Sequence, residues 1–301
     1  MSEPESRSPP SPFGIAPEGY RLPPGTHLGR VRLQVADLGR SVNYYEEVLG
    51  LRTIEGGGGQ AALLGTPGDG AALVELHERA GAAPVPRRGR LGLYHFAILL
   101  PDRRALARFA AHLAERGVGA GASDHRVSEA LYLHDPDGLG IEVYADRPRS
   151  SWRHEGGQLV MATDPLDLAD LLREARGEPW GGMPEGTVIG HIHLHVGDLA
   201  RAEAYYHQAL GLDKTVWSYP GALFLSAGGY HHHLGLNTWA PGGEPAGEDE
   251  ARLLEWELCL PSPEHVGEVH ASLKSAGHPV EGGVPDGVAR DPWGTRLRIR
   301  A

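Results

Sequence analysis

Residues 124–144, DHRVSEALYLHDPDGLGIEVY, set a histidine (His125), a tyrosine (Tyr132) and a carboxylate (Glu142) around one tight turn. Leu131, Tyr132 and Leu133 alternate in side, as a strand does. Asp135, Pro136, Asp137 and Gly138 are turn residues, the proline presetting one dihedral and the glycine freeing another. Ile141 to Tyr144 resume the alternation, so Glu142 and Tyr144 share one face. A carboxylate in so apolar a strand is costly unless it is paired or holds a cation; the plainer reading is an exposed edge position. The chain has 17 histidines, and several fall in strand-like runs. His95 interrupts LYHFAILL, where a lone histidine is usually a satisfied core residue. His191, His193 and His195 alternate and so share a face. The triplet His231, His232 and His233 is either a metal-binding tract or an inert loop.

The 301 residues suffice for two ordinary domains. A net charge of −11 argues against nucleic-acid or membrane-surface partners. The single cysteine, Cys259, excludes an internal disulfide and suits a reducing cytoplasm; its apolar neighbours predict core packing. No run of apolar residues is long enough for a membrane span. A homo-oligomer is left open.

The elements that must carry these side chains recur. Residues 31–51 and 192–212 are copies: Asp37 matches Asp198, Tyr44 and Tyr45 match Tyr205 and Tyr206, and Gly50 matches Gly211. Each is a strand, a capping Asp and a helix stopped at Leu-Gly. A second pair interleaves, with Pro101 matching Pro261, and each copy ends in a DPxG turn at 135–138 and 291–294. Asp102 predicts a helix over 103–116, and Ser262-Pro263 one that stops near Gly277. The chain thus reads as four βαβββ modules of α+β class. The expected layout is a flexible arm at 1–26, a two-module domain at 27–147, a linker at 148–187 with a helix over 164–175, and a second two-module domain at 188–301. One module cannot bury its sheet face alone, so pairs should form two curved, mixed-sheet half-barrels.

This repeat, with DLxRSxxYY…LGL and Y…DPDGxxxE, resembles the vicinal oxygen chelate superfamily of glyoxalases, bleomycin-resistance proteins and extradiol dioxygenases. The order His125, Leu131-Tyr132, DPDG, Glu142 resembles type I extradiol ring-cleaving dioxygenases, and the runs VIGHIHLHV and SAGGYHHHLGLNTW are similar to the bacterial two-domain catechol-2,3-dioxygenase group. Ser123 departs from that pattern. The resemblance implies a non-haem Fe(II), with Mn(II) or another divalent metal as a substitute, held by two His and one carboxylate with adjacent positions open. It also implies an aromatic diol and O2 as substrates. His125 is then the acid that returns a proton as the ring opens, Tyr132 a hydrogen bond to a substrate oxygen, and His232 the acceptor of the diol proton. Trp239 and Phe96 are candidate pocket walls.

In that superfamily ligands lie on the first strand of each module and the last strand of one. The matching positions are Arg30, His95, His191 and Glu255 on first strands, and Glu75, Glu142, Gly235 and Arg298 on last strands. His191 is preferred to His193 and His195 for its spacing from Asp198. Pairing modules in sequence assembles no complete set. Pairing two with three gives His95, Glu142 and His191, and leaves Arg30, Glu75, Glu255 and Arg298 to neutralise one another in a site without metal. The competing set is Glu75, His95 and Glu142, which resembles a glyoxalase I site lacking one His. It would go with a glyoxalase-like lyase or isomerase. A metal-free, antibiotic-binding protein is the third reading.

Overall fold

The computed structural model describes residues 13–301 apart from 58, 69 and 70. Module one runs β1 (His27–Val35), α1 (Leu38–Tyr44), β2 (Arg52–Gly57), β3 (Ala61–Gly65) and β4 (Ala72–Glu78). Module two holds β5 (Gly92–Leu100), α2 (Arg103–Arg116), β6 (Gly121–Asp124), β7 (Ser128–His134) and β8 (Gly140–Asp146). The linker adds β9 (His154–Glu155), β10 (Gln158–Leu159), β11 (Asp164–Pro165) and α3 (Leu168–Glu174). Module three is β12 (Val188–His195), α4 (Leu199–Glu203), β13 (Asp213–Val216), β14 (Ala222–Ser226) and β15 (Leu234–Asn237). Module four is β16 (Arg252–Cys259), α5 (Pro263–Ser275), β17 (Val280–Gly282), β18 (Asp286–Arg290) and β19 (Arg296–Arg300). As the capping residues predict, Asp37, Asp102 and Asp198 each accept a backbone N–H of the first helical turn.

Modules pair across the chain. One sheet is ordered β17-β18-β19-β16-β1-β4-β3-β2 and joins modules four and one. The other, β11-β6-β7-β8-β5-β12-β15-β14-β13, joins two and three. The seam of the second is the antiparallel pair β5–β12, in which Leu, Ile and Val alternate with histidines on β12. Register shifts by one residue at Gly190. A Cβ there would stand 1.9 Å from the Tyr144 hydroxyl, so only glycine lets that ring pass under β12.

The two repeat motifs hold each other. The helix of each odd module widens after its first turns, over Tyr45–Leu49 and Ala204–Ala209, and turns its second tyrosine toward the next module's DPxG turn. Tyr45 donates to Asp135 Oδ2 (3.4 Å) and Tyr206 to Asp291 Oδ2 (2.9 Å). Each Asp also accepts two backbone N–H groups of its own turn. These buried carboxylates are therefore satisfied structural groups.

Three expectations need correction. Residues 13–26 of the expected flexible arm are held: Ile15 and Lys214 exchange backbone hydrogen bonds, Arg21 forks onto Asp213 (2.7 and 2.6 Å), and Phe13 and Leu22 are buried. Residues 1–12 lie outside the described residues. The linker helix starts at Leu168 rather than Asp164, because Asp167 is its cap and Asp164-Pro165 pairs with β6. Cys259 is half-buried rather than core, though burial still raises its thiol pKa. Among the described residues no helix is long and apolar enough to cross a membrane.

Candidate metal centre

Strand register assembles the centre. Across the sheet Tyr132 on β7 pairs with Glu142 on β8, Glu142 with Ala97 on β5, and Ala97 with His191 on β12. His95 lies two residues before Ala97, on the same face. Glu142 and His191 thus sit two strands apart, about 10 Å at the backbone, with only a methyl group between them. Their side chains close that gap over Ala97.

His95 Nε2 lies 3.0 Å from Glu142 Oε2, and His191 Nε2 lies 3.1 Å from the same oxygen. All three residues are buried, and their donor atoms fall within 4.8 Å of one another. Two metal–ligand bonds of about 2.1 Å at right angles would set donor atoms about 3 Å apart. His95 Nε2, despite its closeness, makes no hydrogen bond, and neither does His191 Nδ1; the imidazole pair is under-satisfied in a protein-only account. Burial raises the Glu142 pKa, but the two imidazoles more than offset this and hold it well below the usual carboxylate range. Burial lowers His191 to about 4 and outweighs the pull of Glu142. An ionised Glu142 beside an unprotonated His191 leaves a buried carboxylate charge that this ring does not neutralise. Among the described residues no Lys or Arg lines the cavity around it. The donor set therefore fits a divalent cation.

The cavity, about 350 Å³, is also lined by His125, Tyr132, His193 and His232. The partners of each ring assign its tautomer. His125 Nδ1 donates to the Ala162 carbonyl (2.6 Å), so Nε2 accepts from the Tyr132 hydroxyl (2.5 Å). Burial, then the Glu142 charge, keep that hydroxyl protonated. The Asp146 carboxylate accepts from His231 Nε2 (2.9 Å). His231 Nδ1 therefore accepts from His232 Nδ1 (2.7 Å), and His232 Nε2 keeps a free lone pair. Burial lowers the His232 pKa well below its ordinary value.

The structure brings His95, Glu142, His191, His125, Tyr132 and His232 to one cavity. Of the outer triplet members, His231 serves Asp146, while His233 Nδ1 accepts from Ala227 N (3.2 Å). His193 enters the cavity, its ring centred 5.0 Å from that of His95. It fits because Gly235, opposite it on β15, has no Cβ; one would stand 2.8 Å from the ring. His195 is not part of the cavity lining; its ring lies 4.8 Å from that of Tyr94, and its Nδ1 donates to Asn237 Oδ1 (2.6 Å).

The set Glu75, His95 and Glu142 is not assembled. Glu75 belongs to the other sheet, 3.3 Å from Arg30 and 3.2 Å from Arg32. There the positions matching the metal donors are filled by opposite charges. Buried Glu255 meets Arg298 (2.7 Å), Arg296 (3.1 Å) and Arg32 (3.4 Å). Phe96, expected in the pocket, is core: adjacent to His95, it must face the other way. Trp239 does line the cavity, with Tyr94, Met161, Thr163, Tyr219 and Phe224, which the sequence reading missed. The alternation of β14 could have found Phe224; nothing local marks the linker residues 161–163.

Comparison with known proteins agrees with this architecture. Residues 27–143 and 188–299 match the family model described as Glyoxalase/Bleomycin resistance protein/Dioxygenase superfamily. The chain is 46% identical over 260 residues to a catechol-2,3-dioxygenase of Bacillus subtilis (strain 168), covering 85% of this chain and 90% of that one. A solved structure from Bacillus subtilis subsp. subtilis str. 168 superposes with a TM-score of 0.62 at 17% identity, over 93% of this chain and 86% of that one. Glyoxalase I from Zea mays gives 0.53 at 19% identity, over 91% and 92%; these two likenesses concern the fold.

Proposed function

This chain belongs to the Glyoxalase/Bleomycin resistance protein/Dioxygenase superfamily, and from that premise and the geometry of the centre we propose that it is an extradiol ring-cleaving dioxygenase. Its substrates are a catechol-type aromatic and O2, and His95, Glu142 and His191 hold a non-haem Fe(II). One observation carries the reading: two imidazole nitrogens and a carboxylate oxygen from modules two and three converge at 3.0 and 3.1 Å in a buried site that no Lys or Arg among the described residues lines. The name of the Bacillus relative supports it. Mn(II) suits the same donors.

Held there by His95, Glu142 and His191, the metal would supply the redox chemistry between diol and O2. His232, with its Nε2 lone pair on the cavity, takes a proton from the incoming diol. The chain through His231 to Asp146 fixes that tautomer. Tyr132 accepts a hydrogen bond from a substrate hydroxyl, and His125 Nε2 behind it takes that proton through the Tyr132 hydroxyl and returns it as the ring opens. Both are held in place, His125 by the Ala162 carbonyl and Tyr132 by its pairing with Glu142. The apolar walls keep water from the reacting atoms. The single cysteine accords with a cytoplasmic setting.

The test is iron content and catechol-dependent O2 uptake after anaerobic loading with Fe(II). His95→Ala and Glu142→Ala should each lose both. Full iron content in both variants would overturn the ligand assignment. No uptake by the iron-loaded wild type on any diol would overturn ring cleavage in favour of a lyase or isomerase of the same superfamily.

A further inference from the structure

The cavity extends well beyond the donor cluster. An apolar cavity of about 150 Å³ holds one benzene ring, and this one is about 350 Å³. Away from the donor cluster the lining gathers around the ring of His193. That ring is centred 5.0 Å from His95, 5.7 Å from Phe224 and 5.6 Å from Trp239. Tyr219 continues the wall, 5.9 Å from Phe224 and 6.3 Å from Trp239. Trp239 and Tyr94 are 43% and 38% exposed, so this end is the mouth.

Apart from His193 Nδ1, which carries the ring proton when Nε2 accepts, the polar edges of this wall are spent on the protein. The Trp239 indole N–H donates to the Pro220 carbonyl (3.2 Å). The Tyr219 hydroxyl and Thr163 Oγ1 bond each other (2.8 Å). His193 Nε2 accepts from Asn237 Nδ2 (3.0 Å), and Asn237 Oδ1 accepts from His195 and from the Trp239 backbone N–H (3.0 Å). Among the described residues the lining contains no Lys or Arg, and its only carboxylate is Glu142. Aromatic faces thus meet whatever fills this half, with no cation to receive an acid group.

We infer that the preferred substrate is a catechol with no charged substituent, carrying an apolar group of up to about one further ring, which packs on Phe224, Tyr219 and Trp239. This rests on the ring-cleavage reading above and narrows it. A ring carboxylate would bring a second buried negative charge into a site that already holds Glu142, without a partner. An apolar group instead leaves water for an apolar wall.

The test uses the Fe(II)-loaded full chain and three diols: catechol, 3-phenylcatechol and 3,4-dihydroxybenzoate. O2 uptake should give kcat/KM for 3-phenylcatechol about tenfold or more above catechol. The carboxylated diol should fall about a hundredfold or more below catechol. Anaerobic binding, followed by tryptophan fluorescence without turnover, should rank the three alike. Replacing Phe224 by Ala should weaken 3-phenylcatechol binding more than catechol binding. If catechol is cleaved but the carboxylated diol is cleaved as well as the phenyl one, or the phenyl group gains nothing, the inference falls and ring cleavage stands. If none of the three is consumed, the ring-cleavage reading falls and takes the inference with it.

Discussion

Replacing Glu142 by Gln separates a carboxylate kept for a cation from one kept for structure. The side chain is 3% exposed and lies beside His95 and an unprotonated His191. In metal-free protein it receives one hydrogen bond, from His191. A hydrogen bond to a charged group contributes about 1.5–3 kcal/mol, whereas burying an ion costs several kcal/mol. Desolvation wins or breaks even, so the neutral, nearly isosteric Gln should leave metal-free protein as stable as wild type or more so. With metal the order reverses. A cation at a hundred times its Kd adds about 2.7 kcal/mol to wild type, a rise in Tm of roughly 5 °C for a chain of this size. Glu142→Gln, losing the only anionic donor, should show little of that rise. The assay is anaerobic thermal unfolding of both proteins with and without Fe(II) or Mn(II). A large drop in the metal-free Tm of the variant, or an undiminished metal-dependent rise, would refute the reasoning.

Other expectations follow from the same geometry. Glu255→Ala should destabilise by about 3 kcal/mol in urea unfolding, since Arg32, Arg296 and Arg298 lose a buried partner but keep partial solvent access; a loss below the measurement error would mean that water replaces it. Tyr206→Phe should cost about 1–2 kcal/mol and Tyr45→Phe less, as their hydroxyls stand 2.9 and 3.4 Å from the turn carboxylates. Equal losses would remove any role for that difference. Burial depresses His233 to about 3, and its Nδ1 accepts a backbone N–H, which protonation there would break. The unfolded chain takes up that proton near pH 6.5 and the folded chain only near pH 3, so stability falls as pH drops through this window and is unaffected above it. By pH 4 the loss at this one residue is about 3 kcal/mol. His233→Asn should flatten the fall in metal-free protein between pH 7 and 4; an unchanged slope would place the effect elsewhere.

Much of the fold and the candidate site is legible in the sequence, for reasons that differ by residue. Glu142 stands out because a carboxylate between Ile141 and Val143 violates the pattern around it. Module pairing follows from electrostatics: Arg30 and Arg298 cannot hold a cation, whereas in the observed sheet they meet Glu257 and Glu255. Phe96 was misplaced although strand alternation excludes it. Ala162 was invisible for another reason. Its contribution is a backbone carbonyl, which every residue carries, and it reaches His125 across a long loop. The extended pairing of Asp164-Pro165 likewise depends on a distant edge strand, and the caps at Asp164 and Asp167 look alike until that strand is in place.

The crossed pairing of modules also governs when the molecule can be completed. Strand β1 finds its neighbour β4 early, but its other flank must wait for β16, more than two hundred residues later. A nascent chain leaving the ribosome therefore carries an open sheet edge through most of its synthesis. Such late, distant closures slow folding and leave apolar strands at risk of joining a wrong neighbour. A break in the linker would have the same effect in the finished protein, since each half would keep only part of the donor set and an unclosed edge.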